Sequence, residues 1–302
     1  MTTIKALIIA LVILTSIHVE ADWGQNQTEK RTGVYAGIER TYYIHVPANS
    51  KKALVFVLHG GGGKDGGNGI GRFTNMTNLA EAKGFIAVFP SSIEKQWNDG
   101  RKVTDNGVND VGFLNQLARH LMVEFNIDQS RVFVAGMSNG GMMTARLACE
   151  SDVFKAFAMV SAHIPKDQVT NCPLSAHKKP MLMISGTDDK IMPFNGGLMK
   201  GEGGEVLSAK QSIQFWAKMN ACTPEYSTER FPNTNKEDSS FVMANNFKSC
   251  SAFTSLYVVR GGGHSWPGGN TGRIYEFIAG PTNRDISAAE EIWKVFSAVL
   301  RE

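Results

Sequence analysis

A serine stands between two glycines in the pentapeptide Gly-Met-Ser-Asn-Gly at residues 136–140. The pentapeptide follows a short apolar run, 132–135, and precedes a stretch typical of a helix, 140–149. A tight turn between a strand and a helix presents a serine hydroxyl at the carboxyl edge of a sheet, where it can act as a nucleophile. The alternative is a glycine-rich turn whose serine caps the helix. We favour the nucleophile, which predicts acyl-transfer chemistry at Ser138.

A serine nucleophile needs a general base and an acid that orients this base. His264 follows a late apolar run and three glycines, so a loop can bring its imidazole to the same sheet edge. Asp188 and Asp189 follow another apolar run, 181–184, and lie between the serine and the histidine in the chain. The order serine, acid, histidine is that of one group of hydrolases. The residues alone leave open which of the two carboxylates orients His264.

Four glycines follow His59 directly after an early apolar run. Backbone N–H groups in such a stretch are not shielded by side chains, so they can stabilise the negative oxygen that develops during acyl transfer. We therefore predict an oxyanion hole formed by the peptide N–H groups of Asn139 and of a glycine near Gly61.

Residues 61–66 also fit the pattern GxGxxG of dinucleotide-binding sites. That site needs a helix to begin at once and an acidic residue about 20 positions later. The glycine-rich stretch 66–71 is expected to disfavour a helix, so we favour the oxyanion hole over a dinucleotide site.

Short apolar runs without alternation indicate strands that are covered on both faces of a sheet. Such runs lie at 53–58, 85–89, 132–135, 156–160, 181–184 and 256–259, and an edge strand is predicted at 40–47. Helices are predicted at 111–125, 140–149, 205–219 and 287–300. Alternating strands and helices predict one α/β domain with a mainly parallel sheet and helices on both faces.

The composition excludes several classes of protein. The 302 residues are 42% hydrophobic and 20% charged, which is ordinary for a globular chain. The net charge is only +3 and basic residues are not clustered, so we expect no nucleic-acid partner. No basic amphipathic helix is evident, so we expect no membrane partner either. Motifs of zinc sites are absent, and we expect neither a metal nor an organic cofactor.

The N-terminus has the layout of a secretory signal peptide. Lys5 precedes the apolar run 6–17, and small residues at 19 and 21 suit a cleavage site near Ala21. We therefore predict a signal peptide at 1–21, a catalytic domain at 22–302 and a secreted or periplasmic location.

Four cysteines remain after this segment, and an even number in an exported chain indicates disulfide bonds. Three pairings are possible, and we favour the sequential one, Cys149 with Cys172 and Cys222 with Cys250, because it closes two short loops. The polar, weakly patterned stretch 222–250 then forms an insertion held by a disulfide.

Six segments of the chain resemble the polyhydroxybutyrate depolymerase and feruloyl esterase family. They are Leu-His-Gly-Gly-Gly-Gly at 58–63, Gly-Val-Asn-Asp-Val-Gly-Phe at 107–113, Arg-Val-Phe-Val-Ala-Gly-Met-Ser-Asn-Gly-Gly-Met-Met at 131–143, Arg-Leu-Ala-Cys-Glu at 146–150, Gly-Thr-Asp-Asp-Lys-Ile-Met-Pro at 186–193 and Gly-Gly-Gly-His-Ser-Trp-Pro-Gly-Gly at 261–269. The resemblance implies an α/β-hydrolase fold over nearly the whole mature chain.

The resemblance also implies roles for single residues. Ser138 and His264 match the family's nucleophile and base, and Asp189 matches its acid. The four cysteines fall where the family often has disulfide bonds. We interpret Asp110, which also matches, as a helix N-cap. Trp266 is predicted to line the acyl or aromatic subsite, with ordinary packing in its loop as the alternative.

These observations predict a serine carboxylic-ester hydrolase that uses Ser138, His264 and Asp189. The expected substrates are small or oligomeric esters, first of all oligomers of polyhydroxybutyrate or other hydroxyalkanoates. The alternatives are a feruloyl or acetyl xylan-type esterase acting on plant-wall esters, a serine peptidase of the same fold, and a binding protein without catalytic activity.

Overall fold

The computed structural model describes residues 28–48, 52–62, 66–169, 172, 178–201 and 203–301. The signal peptide predicted at 1–21 lies outside these ranges. The strands are β1 (Glu29–Tyr35), β2 (Ile38–His45), β3 (Leu54–Leu58), β4 (Ile86–Pro90), β5 (Val132–Met137), β6 (Ala156–Val160), β7 (Met181–Gly186), β8 (Gly197–Leu198), β9 (Glu205–Val206), β10 (Tyr226–Arg230), β11 (Phe241–Phe247) and β12 (Thr254–Arg260). The helices are α1 (Gly66–Phe73), α2 (Met76–Lys83), α3 (Asp110–Phe125), α4 (Asn139–Glu150), α5 (Lys166–Val169), α6 (Ala209–Met219), α7 (Arg273–Ala279) and α8 (Ala288–Val299). Within the described ranges, no helix is both long enough and apolar enough to cross a bilayer.

Among the described residues, ten strands form one sheet in the order β1-β2-β4-β3-β5-β6-β7-β12-β11-β10. The six central strands, from β4 to β12, run parallel to one another. Two antiparallel strands extend each edge, β2 and β1 on one side and β11 and β10 on the other. β8 and β9 pair separately as a small hairpin. The predicted fold class, a mainly parallel sheet in an α/β domain, is confirmed.

Both faces of the sheet are covered by helices. In β3, Leu54, Phe56 and Leu58 pack into a core with α3, α4 and α6, whereas Val55 and Val57 pack into a second core with α1, α2 and α8. All five side chains are buried. This double coverage explains why the central strands are uninterrupted apolar runs in the sequence.

The predicted strands are all present, but the one predicted as an edge strand, β2, lies between β1 and β4, so that part of the prediction was wrong. The helices predicted at 111–125, 140–149 and 287–300 agree with α3, α4 and α8 to within two residues. The helix predicted at 205–219 begins later than expected. Glu205 and Val206 pair with β8 as strand β9. α6 then begins at Ala209, because Ser208 and Gln211 form a capping box there.

The expectation that 66–71 disfavours a helix was wrong, because these residues form most of α1. The glycines of α1 allow the helix to lie directly against its neighbours. A Cβ atom on Gly67 would collide with the Phe89 carbonyl oxygen of β4, and one on Gly71 would lie 2.6 Å from the Thr77 hydroxyl. Close packing therefore overrides low helix propensity here. Low helix propensity is therefore no argument against a dinucleotide site at 61–66. The choice between such a site and an oxyanion hole depends on the geometry around this loop.

The two disulfide bonds have the predicted sequential pairing, Cys149 with Cys172 and Cys222 with Cys250. The stretch 222–250, predicted as an insertion, contributes β10 and β11. These strands continue the main sheet beyond β12, so the stretch belongs to the sheet edge.

Asp110 is not the N-cap of α3. The Asn109 side chain caps this helix by accepting a 2.8 Å hydrogen bond from the Gly112 N–H. Asp110 occupies the first helical position and forms a buried 2.6 Å ion pair with Arg40. Its second oxygen accepts a hydrogen bond from the Asn98 N–H. The ion pair of Asp110 with Arg40 therefore connects α3 to β2.

Candidate active site

Ser138 lies at the junction between β5 and α4, with backbone angles of φ 55° and ψ −121°. A positive φ is strained for a residue that has a Cβ atom, and such strain is typical of a nucleophile turn. The Ser138 side chain makes no capping hydrogen bond to α4. The turn therefore holds the serine in a conformation that helix capping does not explain.

Glycines at 136 and 140 make this sharp turn possible. A Cβ atom on Gly136 would collide with the Gly140 carbonyl, and one on Gly140 would collide with the carbonyls of Leu58 and His59. The backbone of α4 thus begins in direct contact with the end of β3. The spacing of the two glycines is a packing requirement.

His264 lies on the loop after β12, beside the end of β7. Its Nδ1 atom is 2.8 Å from Oδ2 of Asp189, and both side chains are nearly inaccessible to solvent. Oδ1 of Asp189 accepts hydrogen bonds from the peptide N–H groups of Ile191 (2.8 Å) and Met192 (2.7 Å). Asp189 therefore pairs with the histidine, whereas Asp188 is exposed and bonds to the neighbouring Thr187 hydroxyl.

The contact with a carboxylate fixes the role of each nitrogen of His264. Because Asp189 can only accept at this position, Nδ1 carries a proton and Nε2 has a free lone pair. The loop is also held through its backbone, since the His264 N–H donates to the Ala279 carbonyl and the Tyr275 hydroxyl donates to the His264 carbonyl. The imidazole is thus oriented from two sides.

The glycine loop after β3 lies against the Ser138 turn. A Cβ atom on Gly60 would lie 3.3 Å from Cβ of Ser138, so this loop approaches the serine closely. Nδ1 of His59 donates to the Gly60 carbonyl, and its Nε2 accepts from the Ser92 N–H. Both nitrogens of His59 are therefore used to hold the loop.

One cleft of about 1060 Å³ is lined by Ser138, Asn139, His264 and the loop residues Gly60 and Gly61. Apolar side chains cover much of its remaining wall; among them are Ile70, Phe73, Met142, Ile191, Met199 and Tyr275. Among the described residues, no three His, Cys, Asp or Glu side chains lie together as a metal site would require. The residues predicted for the nucleophile, the base and the oxyanion hole thus open onto one cavity.

Comparison with known proteins shows which enzymes this chain is similar to. Residues 72–165, less than a third of the chain, match the model of the prolyl oligopeptidase family. "Probable feruloyl esterase C" of Aspergillus flavus is 27% identical to this chain, and the match covers 96% of each protein. "Feruloyl esterase B" of Piromyces equi is 31% identical over 187 residues, which are 60% of this chain and 33% of that relative.

The structure of an acetyl xylan esterase from Aspergillus awamori superposes with a TM-score of 0.56, at 19% identity over 83% of this chain and 94% of that chain. The chain is thus similar to these esterases and has the fold of the acetyl xylan esterase. The predicted class of carboxylic ester hydrolase is thereby confirmed.

Trp266 does not line the cleft of this esterase. The side chain is fully buried in the core between the sheet and α8, among residues such as Ile286 and Ile292. The loop after His264 turns inward because Gly268 and Gly269 allow close contacts with the backbone of Ile286 and with the Phe73 carbonyl. The alternative, ordinary packing, is therefore correct.

The aromatic residues that do line the cleft, Phe73 and Tyr275, were missed by the sequence analysis. They come from α1 and α7, two short helices that were not among the predicted ones, and their rings pack edge to face at 5.7 Å. The signal that could have found them is position, because both helices follow segments that end at the active edge of the sheet.

His163 is a second buried histidine of this esterase, close to the Asp189 and His264 pair. It is 1% exposed, and its Nε2 lies 3.2 Å from the Ser185 hydroxyl. Burial lowers the pKa of His163 to about 4, with the charge of Asp189 acting in the opposite direction and His264 adding to the decrease. The ring is therefore neutral at neutral pH.

This shifted pKa predicts a loss of stability in acid. Between pH 6.5 and 4 the unfolded chain binds a proton at His163 that the native protein does not bind, so the free energy of unfolding falls as the pH decreases. The contribution amounts to about 3 kcal/mol at pH 4. Urea unfolding at pH 7.5, 5.5 and 4.5 should show that the free energy of unfolding decreases less with falling pH for His163→Gln than for the unaltered protein. Equal losses in both proteins would contradict the prediction.

Proposed function

We propose that the protein hydrolyses carboxylic esters by covalent catalysis, with Ser138 as nucleophile, His264 as general base and Asp189 as the acid that orients this base. The observation that carries the proposal is the 2.8 Å contact between His264 and Asp189 beside the cleft onto which the Ser138 turn opens. A strained serine turn, a buried histidine–carboxylate pair and a glycine loop are the parts that acyl transfer requires.

The reaction begins when the Ser138 hydroxyl attacks the ester carbonyl carbon and its proton passes to Nε2 of His264. The carbonyl oxygen becomes negative and accepts hydrogen bonds from the peptide N–H groups of Asn139 and of a glycine near Gly61. The tetrahedral intermediate then collapses, and His264 gives its proton to the leaving alcohol. In the second half His264 activates a water molecule, which releases the acid from the acyl-enzyme.

The substrate we propose is an ester of a phenolic acid with a carbohydrate alcohol. Two relatives that match this chain are named as feruloyl esterases. The aromatic pair Phe73 and Tyr275 gives the cleft a wall that suits an aromatic acyl group. The cleft is also large enough to hold a sugar on the alcohol side. Hydroxybutyrate oligomers, the first expectation from the sequence, have no support from these relatives.

The test is hydrolysis of methyl ferulate and of a 3-hydroxybutyrate trimer by the purified protein, with Ser138→Ala as the control. We expect kcat/KM for methyl ferulate to be higher by about tenfold or more, because the aromatic acyl group fills the apolar wall. A preference for the trimer would overturn the proposed substrate class but not the mechanism. Equal hydrolysis by Ser138→Ala would overturn the mechanism.

Peptide-bond cleavage is a second candidate, favoured by the match of residues 72–165 to the prolyl oligopeptidase family. The same catalytic groups can cleave amides, so only the substrate distinguishes the two activities. With prolyl-p-nitroanilide peptides we expect kcat/KM to be about 100-fold or more below that for methyl ferulate. The reverse order would assign the protein to the peptidases.

We also propose that the protein acts outside the cytoplasm. The two disulfide bonds fit an oxidising compartment, and the predicted signal peptide would direct the chain there. Mass spectrometry of the secreted protein tests this, since its first residue should lie close to position 22.

A further inference from the structure

One segment, 97–101, contacts both halves of the proposed oxyanion hole. The indole N–H of Trp97 donates a 3.0 Å hydrogen bond to the carbonyl of His59, at the beginning of the glycine loop. The peptide of Trp97 pairs with the side chain of Asn139, because its N–H donates to Oδ1 (2.7 Å) and its carbonyl accepts from Nδ2 (3.1 Å). Trp97 is fully buried, so these contacts are shielded from water.

Asp99, in the same segment, holds Asn139 more tightly still. Its Oδ2 accepts hydrogen bonds of 2.6 Å from Nδ2 of Asn139 and from Nη2 of Arg101. Its Oδ1 accepts from the Thr104 hydroxyl at 2.7 Å. The Asp99 carboxylate is completely buried, and burial of a charge is costly unless it is paired and hydrogen-bonded. The segment thus maintains a buried ion pair directly behind the residue that follows the nucleophile.

We propose that Asp99 and Trp97 are positioning residues that hold the Asn139 peptide N–H and the glycine loop at the spacing required by the oxyanion. This inference depends on the proposed function, because it concerns the same reaction. Asn139 is the first residue of α4, where peptide N–H groups have no partner within the helix. Three hydrogen bonds fix its side chain and therefore restrict how its backbone can move.

A small displacement matters because an oxyanion donor works only when it lies about 2.7–3.1 Å from the oxygen in the transition state. The side chain of Asn139 points away from the reaction into the buried pair, whereas its peptide N–H belongs to the turn at Ser138. Trp97 restrains the other donor through the His59 carbonyl, next to Gly60 and Gly61. The two donors are therefore connected through one buried segment.

The decisive variant is Asn139→Ala, which keeps the peptide N–H and removes the side-chain amide that binds Trp97 and Asp99. We expect kcat on methyl ferulate to fall about 10- to 100-fold while KM stays within about twofold, because only the transition state loses stabilisation. The affinity for an aryl trifluoromethyl ketone should fall by the same factor, since addition of Ser138 to this inhibitor forms an oxyanion. The affinity for ferulic acid should not change.

Thr104→Val is the matched control, because it removes a hydrogen bond to the other oxygen of Asp99 and leaves the contact with Asn139 intact. It should keep kcat within about twofold of the unaltered protein. Trp97→Phe provides a second variant, which removes the indole N–H together with part of the buried ring, and it should lower kcat with KM unchanged if Asn139→Ala fails to fold.

Active-site titration corrects every rate for the fraction of folded protein. A corrected kcat for Asn139→Ala within twofold of the original, or an unchanged affinity for the trifluoromethyl ketone, would overturn the inference. An increase in KM alone would overturn it as well, because it would indicate a role in ground-state binding. Retained activity in Ser138→Ala would instead disprove the proposed function, so the two failures are distinguishable.

Discussion

Replacement of Ser138 by alanine is expected to lower kcat by a factor on the order of 10⁶, because the acyl-enzyme can no longer form. The remaining rate would come from the oxyanion donors and from substrate binding, which the substitution leaves in place. The measurement is kcat with methyl ferulate, together with labelling by a fluorophosphonate probe. Both should be lost in the variant.

Two further serine variants make this result specific. Ser151 follows the other end of α4, and its hydroxyl donates to Asn115 outside the cleft, so Ser151→Ala should keep full activity. Ser138→Gly should be as inactive as Ser138→Ala but more stable by about 1 kcal/mol, because glycine adopts φ 55° without strain. Turnover by Ser138→Ala above about 1% of the original rate would show that another group is the nucleophile.

The central sheet and the serine turn could be predicted from the sequence because local chemistry determines both. A strand that is buried on two faces must be apolar throughout, and such runs are visible without knowledge of the partner strands. The turn at Ser138 needs glycines at 136 and 140 for steric reasons, so its pattern is short and contiguous. For the acid that orients His264, the position after an apolar strand left two candidates, Asp188 and Asp189.

The segment around Asp99 could not be predicted in this way. Its residues have no apolar period, and the partners Asn139 and His59 are distant in the chain and come together only in the folded protein. The prediction for Trp266 failed for a different reason. A large aromatic residue two positions after His264 suggested a substrate subsite, but its side chain is buried in the core. Sequence proximity to a catalytic residue does not determine the direction of a side chain.

Replacement of Asp189 by asparagine should lower kcat about 10⁴-fold, because it forces the wrong tautomer on His264. The peptide N–H groups of Ile191 and Met192 both donate to Oδ1, so an asparagine must turn its oxygen toward them. Its amide NH₂ then faces Nδ1 of His264, which must become an acceptor. The proton moves to Nε2, and this nitrogen can no longer take the proton of Ser138.

Asp188→Asn is the matched control, since it makes the same replacement of a carboxylate oxygen by an NH₂ group in the neighbouring acid. Asp188 is exposed, and its Oδ1 accepts a hydrogen bond from the Thr187 hydroxyl, which an asparagine oxygen can also do. This variant should keep kcat within about twofold. The ¹⁵N chemical shifts of His264 report the tautomer directly, and they should change only in Asp189→Asn. Equal losses in both variants would mean that the charge at this edge of the sheet matters more than the orientation of the imidazole.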